Sequence, residues 1–303
     1  MMQKKVLKNI IHYNDCWFRN CFYQQLVAAY GAFGIPADYV VCNYTIDIDF
    51  SDDNETLDIR EHEILDEDEF SALTGICQKR VRFEDVCKQL CTAVRSGNPV
   101  ILGADSFYLP TRTQYYNQKH APHYLLVYGF DLKRKMFTVG ENDGIAIFHF
   151  TEKEVPFDVI EQTYHSFEER FASPDSAVQL EIAKKCPLYL RADALNKLKK
   201  DFCERNYIQY VSFYRMLLEK SWTVEELSSW LEFAIKYTNF FRILMKQCSY
   251  MFGEPKKLNV LADIWHDALS SLEILKDAIR LGQPELMNSE RNEKIIEIGR
   301  AHV

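Results

Sequence analysis

Apolar and polar positions alternate through much of the first half of the chain, with shorter stretches at the helical period, and after about residue 172 the helical period takes over. The alternating stretches predict strands over residues 38–50, 57–65, 99–102, 124–130, 136–139 and 145–150, rich in β-branched and aromatic side chains. At the helical period, DEDEFSALTG predicts a short helix led by acidic residues. Residues 82–94 predict an amphipathic helix whose Phe83, Val86, Cys87, Leu90, Ala93 and Val94 share one face and which Ser96-Gly97 stops. Thr151-Glu-Lys-Glu154 has the spacing of a capping box and predicts a helix start.

Beyond that point Ser173-Pro174 reads as an N-cap followed by proline in the first helical position, and near-continuous helix follows. Breaks fall at Cys186-Pro187, Ser221-Trp222, Gly253-Glu254-Pro255 and Gly282-Gln283-Pro284, with Thr223-Val-Glu-Glu226 as a second capping box. Helices joined by short connections describe a bundle. The expectation is therefore an α+β domain over residues 1–172 and an all-α helical bundle over 173–303. Tyr207, Tyr210, Phe213, Tyr214, Phe233, Tyr237, Phe240 and Phe241 recur at mostly helical spacings, as core positions do.

Composition narrows the class. With 303 residues, 47% hydrophobic and 14% aromatic, the chain can fill substantial cores. The most apolar stretch, from Trp230 to Met245, is interrupted by Glu232, Lys236 and Arg242, so no membrane span is expected. MMQKKVLKNI carries charge without a following apolar segment, so no secretory signal is read and the cytoplasm is the expected compartment. Nine cysteines form no disulfide framework and no zinc-type pair, and they are expected to be reduced, mostly as small core side chains. A net charge of −8 argues against nucleic acid as a partner.

Chemistry-bearing side chains concentrate between Gly97 and Asp143, where a polar loop with Asp105, Tyr108, Arg112, His120 and His123 joins two apolar strands. Far upstream, Asn20 as N-cap makes Cys21 the first helical residue, with Phe22, Leu26, Ala29 and Tyr30 as its apolar stripe and Gly31 or Gly34 as its close. Asp15 as N-cap gives that place to Cys16 instead. A thiol there feels the positive end of the helix dipole, which favours the thiolate. A cysteine at a helix start, a histidine at the start of a later strand and a carboxylate or amide ending the next strand are the nucleophile, base and orienter of thiol catalysis. A hairpin centred near Lys133-Arg134 sets His123 opposite residues 142–144, and a register shift brings any of Glu141, Asn142 and Asp143 into reach. Asp105, Tyr108, Arg112 and His120 are candidates for substrate contact: Arg112 for a carboxylate or phosphate, Asp105 and Tyr108 for an amine. The alternative is an Asp105–Arg112 pair that holds the loop. His120 and His123 lack a third ligand at metal spacing, so no metal is expected.

The segments NCFYQQL, PVILGADSFYLPTR, then Tyr116, Lys119, His120 and His123 leading into HYLLVYGFD, and finally FTVGEND resemble, in this order, the N-terminal domain family named after butirosin biosynthesis protein H. The resemblance spans about residues 14–165. It implies a papain-like, cysteine-protease-type domain, a helix plus an antiparallel sheet, similar to the double-glycine leader peptidases. It also implies Cys21 as nucleophile, His123 as base and Glu141 as third member. The implied activity is thiol-dependent acyl transfer from a carrier-protein thioester to an amine, in specialised-metabolite or nonribosomal peptide biosynthesis, antibiotic biosynthesis included. Competing readings are a cysteine peptidase or amidohydrolase, and an inactive scaffold or binding protein.

No cofactor is implied beyond the phosphopantetheine of an acyl or peptidyl carrier-protein partner, and the acceptor is expected to be a small-molecule amine. Carrier proteins are typically acidic, so Lys184, Lys185, Lys197, Lys199 and Lys200 are a candidate docking face, the alternative being a plain solvated helix stripe. Papain-like enzymes commonly hold a glutamine six residues before the nucleophile as an oxyanion donor. Here that place is Asp15 for Cys21, or Ile10 for Cys16: either the Cys21 N–H serves with Asn14 or Asn20, or the hole is poor and the chain is a weak enzyme or none.

Overall fold

The computed structural model describes residues 2–14, 20–51, 56–143, 149–171, 173–183, 188–204, 213, 223–253 and 255–281. In chain order the strands are β1 (Lys4–Val6), β2 (Tyr44–Ser51), β3 (Thr56–Glu63), β4 (Ile76–Arg80), β5 (Val100–Asp105), β6 (Pro122–Asp131), β7 (Met136–Asp143), β8 (His149–Pro156) and β9 (Ala177–Ile182). The helices are α1 (Cys21–Gly31), α2 (Ala37–Cys42), α3 (Glu67–Thr74), α4 (Val86–Ser96), α5 (Phe157–Phe171), α6 (Leu188–Glu204), α7 (Val224–Phe252) and α8 (Pro255–Arg280). This is an α+β arrangement followed by a helical segment.

Two compact units result, each from two stretches of chain: Met1–Val40 with Leu65–Leu195, and Val41–Ile64 with Asn196–Val303. The first unit holds an antiparallel sheet in the order β4-β9-β5-β6-β7-β8, with β1 paired to the far end of β6. On it, Val86, Leu90 and Val94 of α4 and Ile160 and Tyr164 of α5 meet Val100, Leu102, Leu125, Val127 and Val139 of the strands. Each such aliphatic side chain contributes roughly 1.5–3 kcal/mol when fully buried. In the second unit α7 and α8 pack along each other, and Tyr44 of β2 sets its ring edge on Phe240 with centroids 5.1 Å apart. Phe213, Tyr237, Phe240, Phe241 and Trp265 are core residues there. Cys42 and Cys248, both buried in this unit, bring their sulfurs to 3.0 Å. Among the described residues no helix is long and apolar enough to cross a membrane.

Local signals fixed several ends as expected. Asn20 accepts from the Tyr23 N–H at 3.0 Å and starts α1 at Cys21. Thr223 caps α7 in a capping box, and Gly253, at φ 75°, closes it before Pro255 opens α8. Other expectations fail. Residues 38–42 are helical, and the strand starts only at Tyr44. Thr151-Glu-Lys-Glu154 caps no helix: it runs within β8, because β7 offers it a full ladder from Met136↔Pro156 to Asp143↔His149.

Ser173-Pro174 opens a turn instead of a helix, with the Ser173 hydroxyl accepting from the Asp175 N–H and the Ser176 hydroxyl donating to the Ser173 carbonyl. The chain then enters β9, which fills the gap between β4 and β5. A boundary at 172 would cut through the sheet, so the unit extends to Leu195, and the hairpin β2–β3 belongs with the helices. The expected breaks at Cys186-Pro187, Ser221-Trp222 and Gly282-Pro284, the strand positions 145–148, and Tyr207, Tyr210 and Tyr214 lie outside the described residues.

One irregularity in the sheet decides which side chains meet. From Asp131↔Met136 a regular ladder carries Leu126 opposite Glu141, but a bulge between Val127 and Gly129 sets Leu126 opposite Gly140. Paired residues share a face and neighbours along a strand do not. The bulge therefore turns Glu141 onto the face of Leu125 and His123, and Asn142 onto the other. Gly140 is the hinge of this placement: a Cβ there would lie 2.1 Å from the Phe150 ring. Gly140→Ala is accordingly expected to destabilise the protein by about 1–3 kcal/mol. Thermal unfolding checks this, and Gly140→Ala combined with Phe150→Ala should lose less than the sum of the two single variants.

Candidate active site

Cys21 opens α1, where the unsatisfied N–H groups of the first turn and the helix dipole favour negative charge. Burial nevertheless pushes its thiol pKa up. The N–H of Tyr124, the positive charge of Arg112, and the N–H groups of Cys21 and Phe22 oppose that rise. The contact with Tyr124 carries the argument, since it brings the thiol to the residue that follows His123 in β6.

His123 is 3% exposed, and its Nε2 faces Glu141 Oε1 at 3.9 Å. That is an ion-pair distance and too long for a hydrogen bond. Burial, followed by the nearby Arg112 charge, drives the imidazole pKa down to about 3, so the ring is neutral at pH 7. Glu141, 1% exposed, lies between His123 and Arg112, whose Nε stands 3.9 Å from the same Oε1. Arg112 Nη1 donates to the Asn142 carbonyl at 2.8 Å, and the guanidinium lies over the Tyr115 ring. Asn142 accepts at Oδ1 from Gln25 Nε2 at 2.9 Å, which ties β7 to α1 one helical turn beyond Cys21. Gln25 carried no signal at the sequence level beyond its i+4 spacing from Cys21.

The remaining expected residues form a neighbouring cluster. Asp105, wholly buried, accepts from His120 Nδ1 at 2.6 Å, from the Ser166 hydroxyl at 2.7 Å and from the Phe107 N–H at 3.1 Å. Burial raises its pKa, but these donors outweigh burial and hold the carboxyl below its ordinary value. The alternative Asp105–Arg112 pair does not form among the described residues: Arg112 turns to Glu141 and Asn142, the Thr163 hydroxyl of α5 donates to the Asp105 main-chain carbonyl, and Ser166 and His120 donate to its carboxylate. Nor is Asp105 open to a substrate amine, its carboxylate being occupied by these donors. His120 stacks on Phe107 with centroids 4.3 Å apart, and Tyr108 meets both rings edge-on.

Of the expected oxyanion donors, Asn14 holds the Phe150 N–H through its Oδ1 and Asn20 caps α1. Asp15, Cys16, Lys184, Lys185 and the side chain of Asp143 lie outside the described residues, and Lys197, Lys199 and Lys200 are carried on α6.

Because His123 is held neutral in the fold and ionises near its ordinary 6.5 when unfolded, the unfolded chain binds the extra proton between those values. The stability that follows from burying the neutral ring is present above pH 6.5 and is lost as pH falls towards 3. Thermal midpoints measured down this range should fall more steeply for the native protein than for His123→Gln.

A family model described as the DUF1839 N-terminal domain matches residues 8–177. Among curated proteins none matches.

Proposed function

We propose that this chain, which belongs to the DUF1839 N-terminal domain family, is a butirosin biosynthesis protein H-like cysteine acyltransferase that accepts an acyl group from a thioester on Cys21 and passes it to an amine. The observation that carries this reading is the convergence of three residues distant in sequence. A thiol at a helix start reaches the N–H beside His123, and His123 turns Nε2 towards Glu141. This order of thiol, imidazole and carboxylate supports assigning them the roles of nucleophile, base and orienter.

With Nε2 facing the carboxylate, Nδ1 is the nitrogen left for the thiol proton. As the Cys21 sulfur bonds to the thioester carbonyl carbon, its proton passes to Nδ1. Collapse of the tetrahedral intermediate breaks the donor's C–S bond, and the leaving thiol takes that proton. The amine then attacks the acyl-enzyme and gives its proton to Nδ1. The second C–S bond breaks, and Cys21 recovers the proton. In this reading the donor is a carrier protein bearing phosphopantetheine and the acceptor is a small-molecule amine, as in specialised-metabolite assembly.

One observation favours a second reading. A thiol raised by burial beside a neutral imidazole is not the ready ion pair of the fastest thiol enzymes, which suits a scaffold that keeps the fold without the chemistry. Mass spectrometry after incubation with an acylated carrier protein separates the two. The transferase should gain the acyl mass on Cys21, Cys21→Ala should not, and an added amine should release the acyl group as amide. Free acid in place of amide assigns the protein to hydrolysis, and no adduct in the native protein assigns it to the scaffold reading.

A further inference from the structure

We propose that Cys42 and Cys248 form a reversible disulfide when the protein meets a peroxide, and that this bond fastens the start of the β2–β3 hairpin to α7. Both cysteines belong to the second unit, so the bond is independent of the acyl-transfer reading.

Geometry singles out this pair. The two sulfurs stand 3.0 Å apart although 206 residues separate them in sequence. Disulfide sulfurs lie about 2.0 Å apart, so an approach of roughly 1 Å closes the bond. Both side chains are buried, and the packing around them holds the sulfurs together. Other described cysteines face different partners: the Cys77 sulfur donates to the Glu181 carbonyl and the Cys87 sulfur to the Phe157 carbonyl.

Neighbouring contacts keep Cys42 in register with α7. Cys42 ends α2, and β2 begins two residues later at Tyr44. Tyr44 sets its ring against Phe240, while Glu61 of β3 accepts from Lys236 at 2.7 Å and from the Tyr237 hydroxyl. From Tyr237 to Cys248 is about three helical turns, so the two lie on one side of α7 with Phe240 between them. The Cys42–Cys248 contact thus extends a seam that aromatic and ionic contacts already hold. At this depth a small oxidant has better access than another protein's disulfide. One sulfur attacks a peroxide oxygen, the O–O bond breaks, and the thiol proton leaves with the departing oxygen as water, giving a sulfenic acid. The second sulfur attacks the sulfenic sulfur, the S–O bond breaks, and its proton leaves with the hydroxyl as a second water. The thiols together lose two electrons to the peroxide, and a dithiol reductant restores them.

The test is non-reducing peptide mapping by mass spectrometry of native protein incubated with hydrogen peroxide and then alkylated in denaturant. A Cys42 peptide joined to a Cys248 peptide, lighter by two hydrogen atoms than the sum of the two, is the expected product, and dithiothreitol should release both. Closing so long a loop should raise the thermal midpoint of the oxidised protein by roughly 5 °C or more over the reduced form. Cys42→Ser and Cys248→Ser should each abolish that difference. Since oxidised and reduced samples of one variant are compared, any destabilisation by the serine itself cancels. Both cysteines recovered as alkylated thiols after peroxide, or either joined to a different cysteine, would overturn the assignment. A linked peptide with an unchanged midpoint would uphold the bond and overturn its role as a fastener.

Discussion

A buried guanidinium, carboxylate and imidazole within contact of one another are the constraint on which the arrangement of the first unit depends. Removing such groups from water costs several kcal/mol per ion unless each finds a partner. Arg112 and Glu141 oppose each other across 3.9 Å, and His123 avoids the cost by remaining neutral. Holding them demands that a loop between β5 and β6, the tip of β7 and the first turn of α1 be fixed together. The Gln25–Asn142 and Arg112–Asn142 hydrogen bonds do this from two directions. Asp105 does it from a third, anchoring the same loop to α5 through Ser166 and to its own far end through His120.

Much of the outline was legible because it is written locally. A side-chain oxygen before an apolar helical stripe sets a helix start, so Asn20 and Thr223 stand where caps were expected. Long alternating runs at 124–130 and 136–139 became the central strands β6 and β7, somewhat extended at their ends. What failed depends on partners distant in the chain. The Thr151–Glu154 pattern fits a capping box and an edge strand equally well until β7 is there to pair with it. The same holds for 177–182, whose alternation acquires meaning only from the slot between β4 and β5.

The site divides along the same line. That Cys21, His123 and Glu141 were chemically interesting could be read from residue types and from a family resemblance. Which face Glu141 occupies could not, because a bulge near Tyr128 reverses the parity of the ladder and leaves no mark of its own in the sequence. The alternative pairing of Arg112 with Asp105 fails for a related reason: Asp105 is near in sequence, but Ser166 of α5 and His120 already donate to its carboxylate. Polar groups in an interior pair by what the fold delivers, and sequence proximity predicts this poorly.

The route of the chain between the units has a further consequence. It leaves the first unit after Val40, builds β2 and β3 within the second, returns at Leu65 and leaves again after Leu195. Neither unit is a continuous stretch, so no single cut separates them. Ending the chain at 172 strips β9 from the sheet and exposes the facing edges of β4 and β5, a template for association between chains. Ending it at 195 spares the sheet but leaves the β2–β3 hairpin without the helices against which Tyr44 and Glu61 are placed. During synthesis the hairpin likewise emerges well before α7 and must wait for it. Connectivity thus binds the two units into one folding problem.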